Sequence, residues 1–218
     1  QVLRVFVPRG GGAAPTGDPA IASQPQTLAD HTAMVVAAVH DIADRLDLPA
    51  EARAMLTLAA RHHDDGKARP FWQRAMGAPG DGAVYAKTGG SGGPGQLAGF
   101  RHEFASVRDL ESAPPAAFAD LPPAWRDLAL HLIAAHHGWA RPIIAPVDPK
   151  APPSVCGAQA RDIALRFARL QRQWGAWGLA WWEALLRAAD QRASGQHDAA
   201  PAAGMAPADP AAGTASAD

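Results

Sequence analysis

The sequence predicts an all-α domain, and three observations predict it. Apolar residues recur every three or four positions in several long stretches between Thr27 and Ser194. Proline or glycine marks most of the boundaries between those stretches. No succession of alternating apolar and polar runs supplies the strands of a sheet-based nucleotide fold.

Composition sets outer limits. The 218 residues, 48% hydrophobic, suffice for one domain with its own core. A net charge of -1 excludes a uniformly basic nucleic-acid coat but leaves room for a local basic rim. The single cysteine, Cys156, excludes an internal disulfide and a cysteine-based zinc site. It suits a reducing, cytoplasmic compartment. No apolar run is long enough to cross a bilayer, so a membrane is not expected as a partner.

Residues 1–8 alternate well enough for one short strand, and residues 10–26, rich in Gly, Pro and Ala, read as a linker. Residues 1–26 are therefore assigned to a strand and flexible linker from an upstream domain. The chain opens on Gln1, without a Met or a signal-peptide cleavage region, so it is expected to be cut or processed from a longer polypeptide.

Thr27 to Leu48 is the first predicted helix, with Val35, Val39, Ile42 and Leu46 on one face and His31 continuing it. After Pro49, a second helix spans Ala50 to His63, and Met55, Ala59 and His63 lie four apart. Gly66 permits a turn, and Lys67 to Ala75 starts a short helix carrying Phe71 and Trp72. Residues 77–99 are glycine-dense and predict a flexible insertion that contributes nothing to the core. A helix from Arg101 to about Ala113 puts His102, Ala105, Ser106 and Asp109 on one face. Another, Pro123 to His137, aligns Trp125, Leu128, Leu132 and His136, and Gly138 ends it. A proline-rich surface loop leads to a helical stretch over Gln159 to Ser194, broken near Gly175 and Gly178. There Leu179, Trp182, Leu186 and Asp190 form one stripe. Residues 196–218 are Ala/Pro-rich and predicted to be disordered, with His197 incidental.

The stretch His62-His63-Asp64-Asp65-Gly66-Lys67 concentrates two imidazoles, two carboxylates and an ammonium at a helix end. Burying such a cluster is costly unless a metal or charged ligand compensates it. Taken alone it also reads as a polar helix end with a glycine stop. His31, His63, Asp64, His102, His136 and Asp190 all fall on or at the end of an apolar helix face, and His137 is adjacent. Any one of them can be a core residue with a private partner. Together they are explained more economically by one or two divalent metals shared at the centre of a helical bundle. Seven such side chains exceed the need of one tetrahedral ion and suit two ions roughly 3.5–4 Å apart, the spacing used for phosphoryl displacement. No P-loop and no G-x-S-x-G motif occurs.

An early His31, the pair His63-Asp64 and a late Asp190, all on helices, resemble the HD phosphohydrolase superfamily. The fuller pattern resembles the HD nuclease domain of the CRISPR-associated type I interference nuclease-helicase. It comprises His63-Asp64-Asp65-Gly66-Lys67, Arg101-His102-Glu103, His136-His137-Gly138 with Arg141-Pro142, and Leu186-Arg187-Ala188-Ala189-Asp190. The resemblance covers residues 27–195, apart from the insertion at 77–99. It implies an HD-domain helical bundle around a dinuclear metal site. One ion would be held by His31, His63, Asp64 and Asp190, the other by Asp64, His102, His136 and His137, with Asp64 bridging. The ions would be divalent transition metals, Mn, Ni, Co or Fe, with Zn also able to bind. The implied reaction is hydrolysis of single-stranded DNA, fed by a helicase and a crRNA-guided surveillance complex.

Asp64 and Lys67 are the expected catalytic residues. Lys67 contacts the scissile phosphate or, in the plainer reading, caps the helix end at the surface. Arg69 and Arg141 are further substrate-binding candidates, with Arg74 and Arg101 completing a basic rim, and Ser106 either orients a phosphate or ligand or serves helix packing. Trp72 and Trp139 are placed either to stack bases or in the core. Two rivals stand beside this reading. One is an HD-type phosphohydrolase acting on nucleotides or cyclic nucleotides. The other is a non-catalytic helical module whose histidines are structural or hold one zinc.

Overall fold

A computed structural model describes residues 24–89 and 92–199. The described chain is mostly helical. In order it runs β1 (Gln26–Thr27), α1 (Leu28–Arg45), α2 (Ala50–His62), α3 (Pro70–Ala75), β2 (Tyr85–Lys87), α4 (His102–Ser112), α5 (Ala116–Ala119), α6 (Pro123–Ala135) and α7 (Pro153–Ala199). Single 3-10 turns occupy Asp65–Ala68 and Pro94–Leu97. The predicted strand at 1–8 and most of the linker lie outside the described residues. No described helix is long and apolar enough to cross a membrane.

Local chemistry sets the helix ends. Thr27 caps α1, its hydroxyl oxygen accepting from the Asp30 N–H at 3.1 Å. Pro70 and Pro123 open α3 and α6, where a missing N–H costs nothing. The first helix stops at Arg45 rather than Leu48. Asp47 turns left-handed at φ 48°, which leaves Leu46 half exposed instead of on the predicted face. Gly175, at φ 68° and ψ 170°, interrupts α7 where its sequence suggested a break.

The bundle packs α1 against α2 and α7, α2 against α6, and α6 against α4 and α7. Val35, Val39, Met55, Leu128, Leu132, Ile133, Leu179 and Leu186 meet in the centre, each 2% exposed or less. A smaller cluster of Trp72, Met76, Phe100 and Ala105 sits under α3 and the start of α4. Trp72 is therefore core and is not available to stack on a base.

Two segments depart from expectation. Residues 85–88 of the glycine-dense stretch are buried, and β2 pairs antiparallel with β1, Gln26 opposite Lys87 and Thr27 opposite Tyr85. Gln73 fixes this strand: its side-chain oxygen accepts from Tyr85 N–H at 3.0 Å and its amide donates to the carbonyls of Tyr85 and Lys67 at 2.8 Å. Three residues of strand were hidden among the flanking glycines. The end of α7 also continues to Ala199, past the predicted end at Ser194. Lys87 reaches the Ser194 carbonyl and Asp198 there, both at 3.4 Å, and the His197 ring lies 3.3 Å from the Gln24 carbonyl. His197 thus helps dock the start of the described chain. The remainder of the predicted disordered tail, 200–218, lies outside the described residues.

The corner between α2 and α3 is held tightly against α4. Ser106 Oγ accepts from Gly66 N–H at 2.8 Å and lies 2.9 Å from the carbonyls of His63 and His102. A Cβ on Gly66 would stand 2.1 Å from the His102 carbonyl oxygen, so only glycine fits this approach. Ser106→Ala leaves the buried Gly66 N–H unsatisfied and should lower stability by about 1–3 kcal/mol. Gly66→Ala should lower it by at least as much, through displacement of the corner. Urea denaturation checks both, and wild-type midpoints would remove the docking role.

Candidate metal centre

The functional side chains sit where helices begin or end. His63 is the residue that closes α2, and Asp64 follows it with φ -108° and ψ 5°, opening the 3-10 turn. His136 closes α6, with His137 next. His102 is the first residue of α4. His31 lies in the first turns of α1, and Asp190 lies on α7 one turn beyond buried Leu186. Helix ends let a side chain reach the bundle interior without displacing a full turn of core residues.

These residues converge on Asp64, whose two oxygens face different partners. Oδ2 lies 3.5 Å from His31 Nε2, 3.4 Å from His63 Nε2 and 3.0 Å from Lys67 Nζ. Oδ1 lies 3.1 Å from His102 Nε2 and 3.6 Å from His136 Nε2. Asp190 Oδ1 joins the first group, 3.2 Å from His31 Nε2 and 4.0 Å from His63 Nε2. The His137 ring centroid is 4.0 Å from that of His136 and 5.1 Å from that of His102. Donor atoms of Asp64, His102, His136 and His137 all lie within 4.8 Å of one another, as do those of His31, His63 and Asp64. Every predicted ligand is thus in one neighbourhood.

The protonation pattern follows from the backbone. His63 Nδ1 lies 2.8 Å from the Ala60 carbonyl and His136 Nδ1 lies 2.7 Å from the Ile133 carbonyl. A carbonyl only accepts, so both rings carry hydrogen on Nδ1 and turn Nε2 toward Asp64. On neutral His63 that Nε2 is a lone pair facing carboxylate oxygens, and it has no hydrogen-bond partner. His137 Nε2 is likewise buried without one. Acceptors aimed at acceptors in a dry core repel unless a cation lies among them. Imidazole nitrogens and carboxylate oxygens so arranged fit a divalent metal ion, and these buried clusters can hold one.

Electrostatics point the same way. Burial pushes His63 down to about 4, despite the opposing charge of Asp64. Burial, with the neighbouring His136 and His102, pushes His137 far below its ordinary value. Burial acts against His136 too, but its bond to Asp64 and the surrounding carboxylates raise it overall. Burial would raise Asp64, yet His63, Lys67 and the other imidazoles hold it well below the usual range. Asp190 is drawn down by His31 and His63 against a similar burial effect.

The remaining predicted residues divide. Lys67 is not at the surface: it is 4% exposed, bonded to Asp64, with Trp72 5.6 Å from its ammonium. Ser106 is fully buried and bonded at the corner, which is the packing role among its two readings. Arg69 is corrected as well. Its guanidinium grips Asp109 at 2.6 and 2.7 Å and Asp148 at 3.0 Å, and it is 4% exposed, which leaves no face for a phosphate. Arg141 pairs with Glu183, two turns of α7 before Asp190. Trp139 is partly exposed, and the Arg101 guanidinium lies 4.0 Å over its ring, beside His102 and His137. Two buried groups escaped the sequence reading. His131 on α6 lies 2.7 Å from Glu183, and Glu103 is fully enclosed beside His102. Position 131 directly precedes Leu132, about 100° around the helix from the predicted face, and Glu103 is masked by its ordinary place in a helix's first turn.

The lowered His63, His131 and His137 bind protons more weakly folded than unfolded. Their contribution to stability is present above the unfolded value near 6.5 and lost as pH falls toward 4. The raised His136 works in the opposite sense, its contribution lost as pH rises. Chelator-treated protein should therefore have a lower urea midpoint at pH 4.5 than at pH 7. Manganese at a hundredfold excess over Kd should add about 2.7 kcal/mol at pH 7. A midpoint indifferent to both would contradict the buried, neutral-histidine arrangement. Comparison with known proteins adds no identity to this geometry: no family model, no curated protein and no solved structure matches the chain.

Proposed function

We propose that the chain is a metal-dependent nuclease of the HD type, hydrolysing phosphodiester bonds of single-stranded DNA around a two-ion centre bridged by Asp64. The observation that carries this reading is the division of the Asp64 carboxylate, Oδ2 toward His31 and His63 and Oδ1 toward His102 and His136. One carboxylate serving two donor sets is what a pair of closely spaced cations requires. His31, His63 and Asp190 would complete the first set, and His102, His136 and His137 the second. A helicase and a crRNA-guided surveillance complex, acting in CRISPR interference, are the partners the sequence resemblance suggests.

Bound divalent ions supply a nucleophile at neutral pH and neutralise charge building on the phosphate oxygens. The chain's own residues do the rest. The Nδ1 bonds of His63 and His136 keep their Nε2 atoms aimed inward. Lys67 holds positive charge against Asp64 Oδ2, where it steadies the carboxylate and can meet developing negative charge. The surrounding apolar core excludes bulk water and strengthens each of these interactions. Arg101 stacked on Trp139 offers a phosphate contact and an aromatic face at the edge of the second donor set.

Burial supports a second reading. His31, His63, Asp64, His102 and His136 are each 5% exposed or less. So enclosed a centre also suits a small phosphoester, which is the chemistry of an HD phosphohydrolase acting on nucleotides or cyclic nucleotides. Purified protein with manganese or nickel, offered labelled single-stranded DNA and separately nucleotides, decides between them. DNA cleavage is expected, and hydrolysis of nucleotides alone would replace the nuclease reading. Asp64→Ala should abolish turnover while far-UV circular dichroism shows an intact helical protein. Retained cleavage in that variant would rule out the bridged centre.

A further inference from the structure

We propose that a groove on the outer face of α2 binds a small organic anion, whose apolar body lies in the groove and whose acidic group meets Arg61. The site is separate from the metal centre, and the proposal stands apart from the nuclease reading.

The two faces of α2 do different things. One carries Ala52, Met55 and Ala59 into the core and leads to His63. The other lies about half a turn around the helix and carries Ala50, Ala54, Thr57 and Arg61. This second face forms one wall of a cavity of about 460 Å³. Pro115 and Ala117, at the start of α5, form the opposite wall.

Side-chain size makes the space. Alanine stands at 50 and 54 on one wall and at 117 on the other, and Leu58, 5% exposed, forms the floor. A longer side chain at 54 would fill the groove. Its volume falls within the range of about 300–1,000 Å³ typical of small-molecule sites, which join apolar walls to a few polar groups.

Charge selects the occupant. No acidic side chain lines the groove, whereas two arginines and a histidine do. Two of these three are already engaged: Arg53 pairs with Asp44, and His62 Nδ1 lies 2.7 Å from Asp65. Arg61 is exposed and has no ion pair or hydrogen bond among the described residues. Its guanidinium keeps its donors for a carboxylate, sulfonate or phosphate, which it can meet through two parallel bonds. Thr57 adds a hydroxyl one turn before Arg61. One unengaged cation beside aliphatic walls matches a ligand with one acidic group on an apolar body. A nucleic-acid strand would need a row of such cations for its successive phosphates.

The full chain, kept metal-free by chelator and titrated with 8-anilinonaphthalene-1-sulfonate, tests this. The dye joins a sulfonate to an aromatic body and fluoresces in apolar surroundings. Wild-type protein should bind it saturably at one site, and equally well with manganese present. Arg61→Gln, a change at an exposed position, should weaken the dye by about 10-fold. The same variant should leave unchanged the binding of N-phenyl-1-naphthylamine, which has that body without the sulfonate. Ala54→Leu, also at an exposed position, should abolish binding of both dyes. The Arg61→Gln comparison stands even where Ala54→Leu fails to fold. The proposal is overturned by a wild-type chain that binds no dye saturably. Full binding in a folded Ala54→Leu overturns it too, because the dye then sits elsewhere. Equal effects of Arg61→Gln on the charged and uncharged dyes would remove the recognition of an anion. Displacement of the dye by manganese would move it to the metal centre and overturn the separate site.

Discussion

The bundle is organised around a repulsion. Imidazole lone pairs and carboxylate oxygens from α1, α2, α4, α6 and α7 are brought within a few ångströms of Asp64, in a core that excludes water. Hydration cannot relieve such a cluster, and its members are not all satisfied by one another: the Nδ1–H of His63 and of His136 is spent on a backbone carbonyl, and a carboxylate only accepts. Positive charge among them relieves the repulsion, and the clusters can hold a metal ion. The protein supplies some itself, through Lys67 on Oδ2 and through the tendency of His136 to hold a proton. Neither serves every member: the buried Nε2 atoms of His63 and His137 have no hydrogen-bond partner among the described residues. That residue of unsatisfied lone pairs favours a metal reading over a core of privately partnered histidines.

Rigidity in the rest of the fold makes the convergence possible. The Gly66 contact and the Ser106 bonds lock the His63-Asp64 corner to the start of α4, which sets the distance from Asp64 to His102. Arg69 ties the same region to Asp109 on α4 and to Asp148 in the loop before α7, and Arg108 reaches Asp148 at 3.1 Å. Arg166 on α7 binds Glu111 and lies 3.3 Å from Asp127 on α6. Of these, Arg69 was expected at a substrate rim. Their burial and pairing make them struts, which is the commoner fate of an arginine surrounded by acids.

Much of the centre was legible because helical spacing is a strong signal. Met55, Ala59 and His63 four apart fix which histidine of the pair turns inward, and Leu179, Trp182 and Leu186 do the same for Asp190. What spacing cannot show is how a side chain is used once it is inside. Sequence left Lys67 between the phosphate and the surface and Ser106 between a ligand and packing, and it offered Arg69 to a substrate, because their partners at 64, 66, 109 and 148 meet them only after folding. The short β2 strand was hidden for another reason. Its hydrogen bonds come from β1 and from Gln73, and three residues amid glycines carry no periodicity.

Chain position also governs how each candidate ligand is supported. A histidine closing a helix inherits an acceptor from its own last turn, so its tautomer is set by local backbone alone. This holds for His63 and His136, which come from different helices and reach the same geometry by the same means. A ligand that opens a helix, or lies within one, has to be supported from elsewhere. His31 is met by Asp190 on α7, and His102 lies between Asp64 and the adjoining Glu103. Carboxylates therefore stand beside the two histidines that do not close a helix, and where the helices start and stop shapes the electrostatic field.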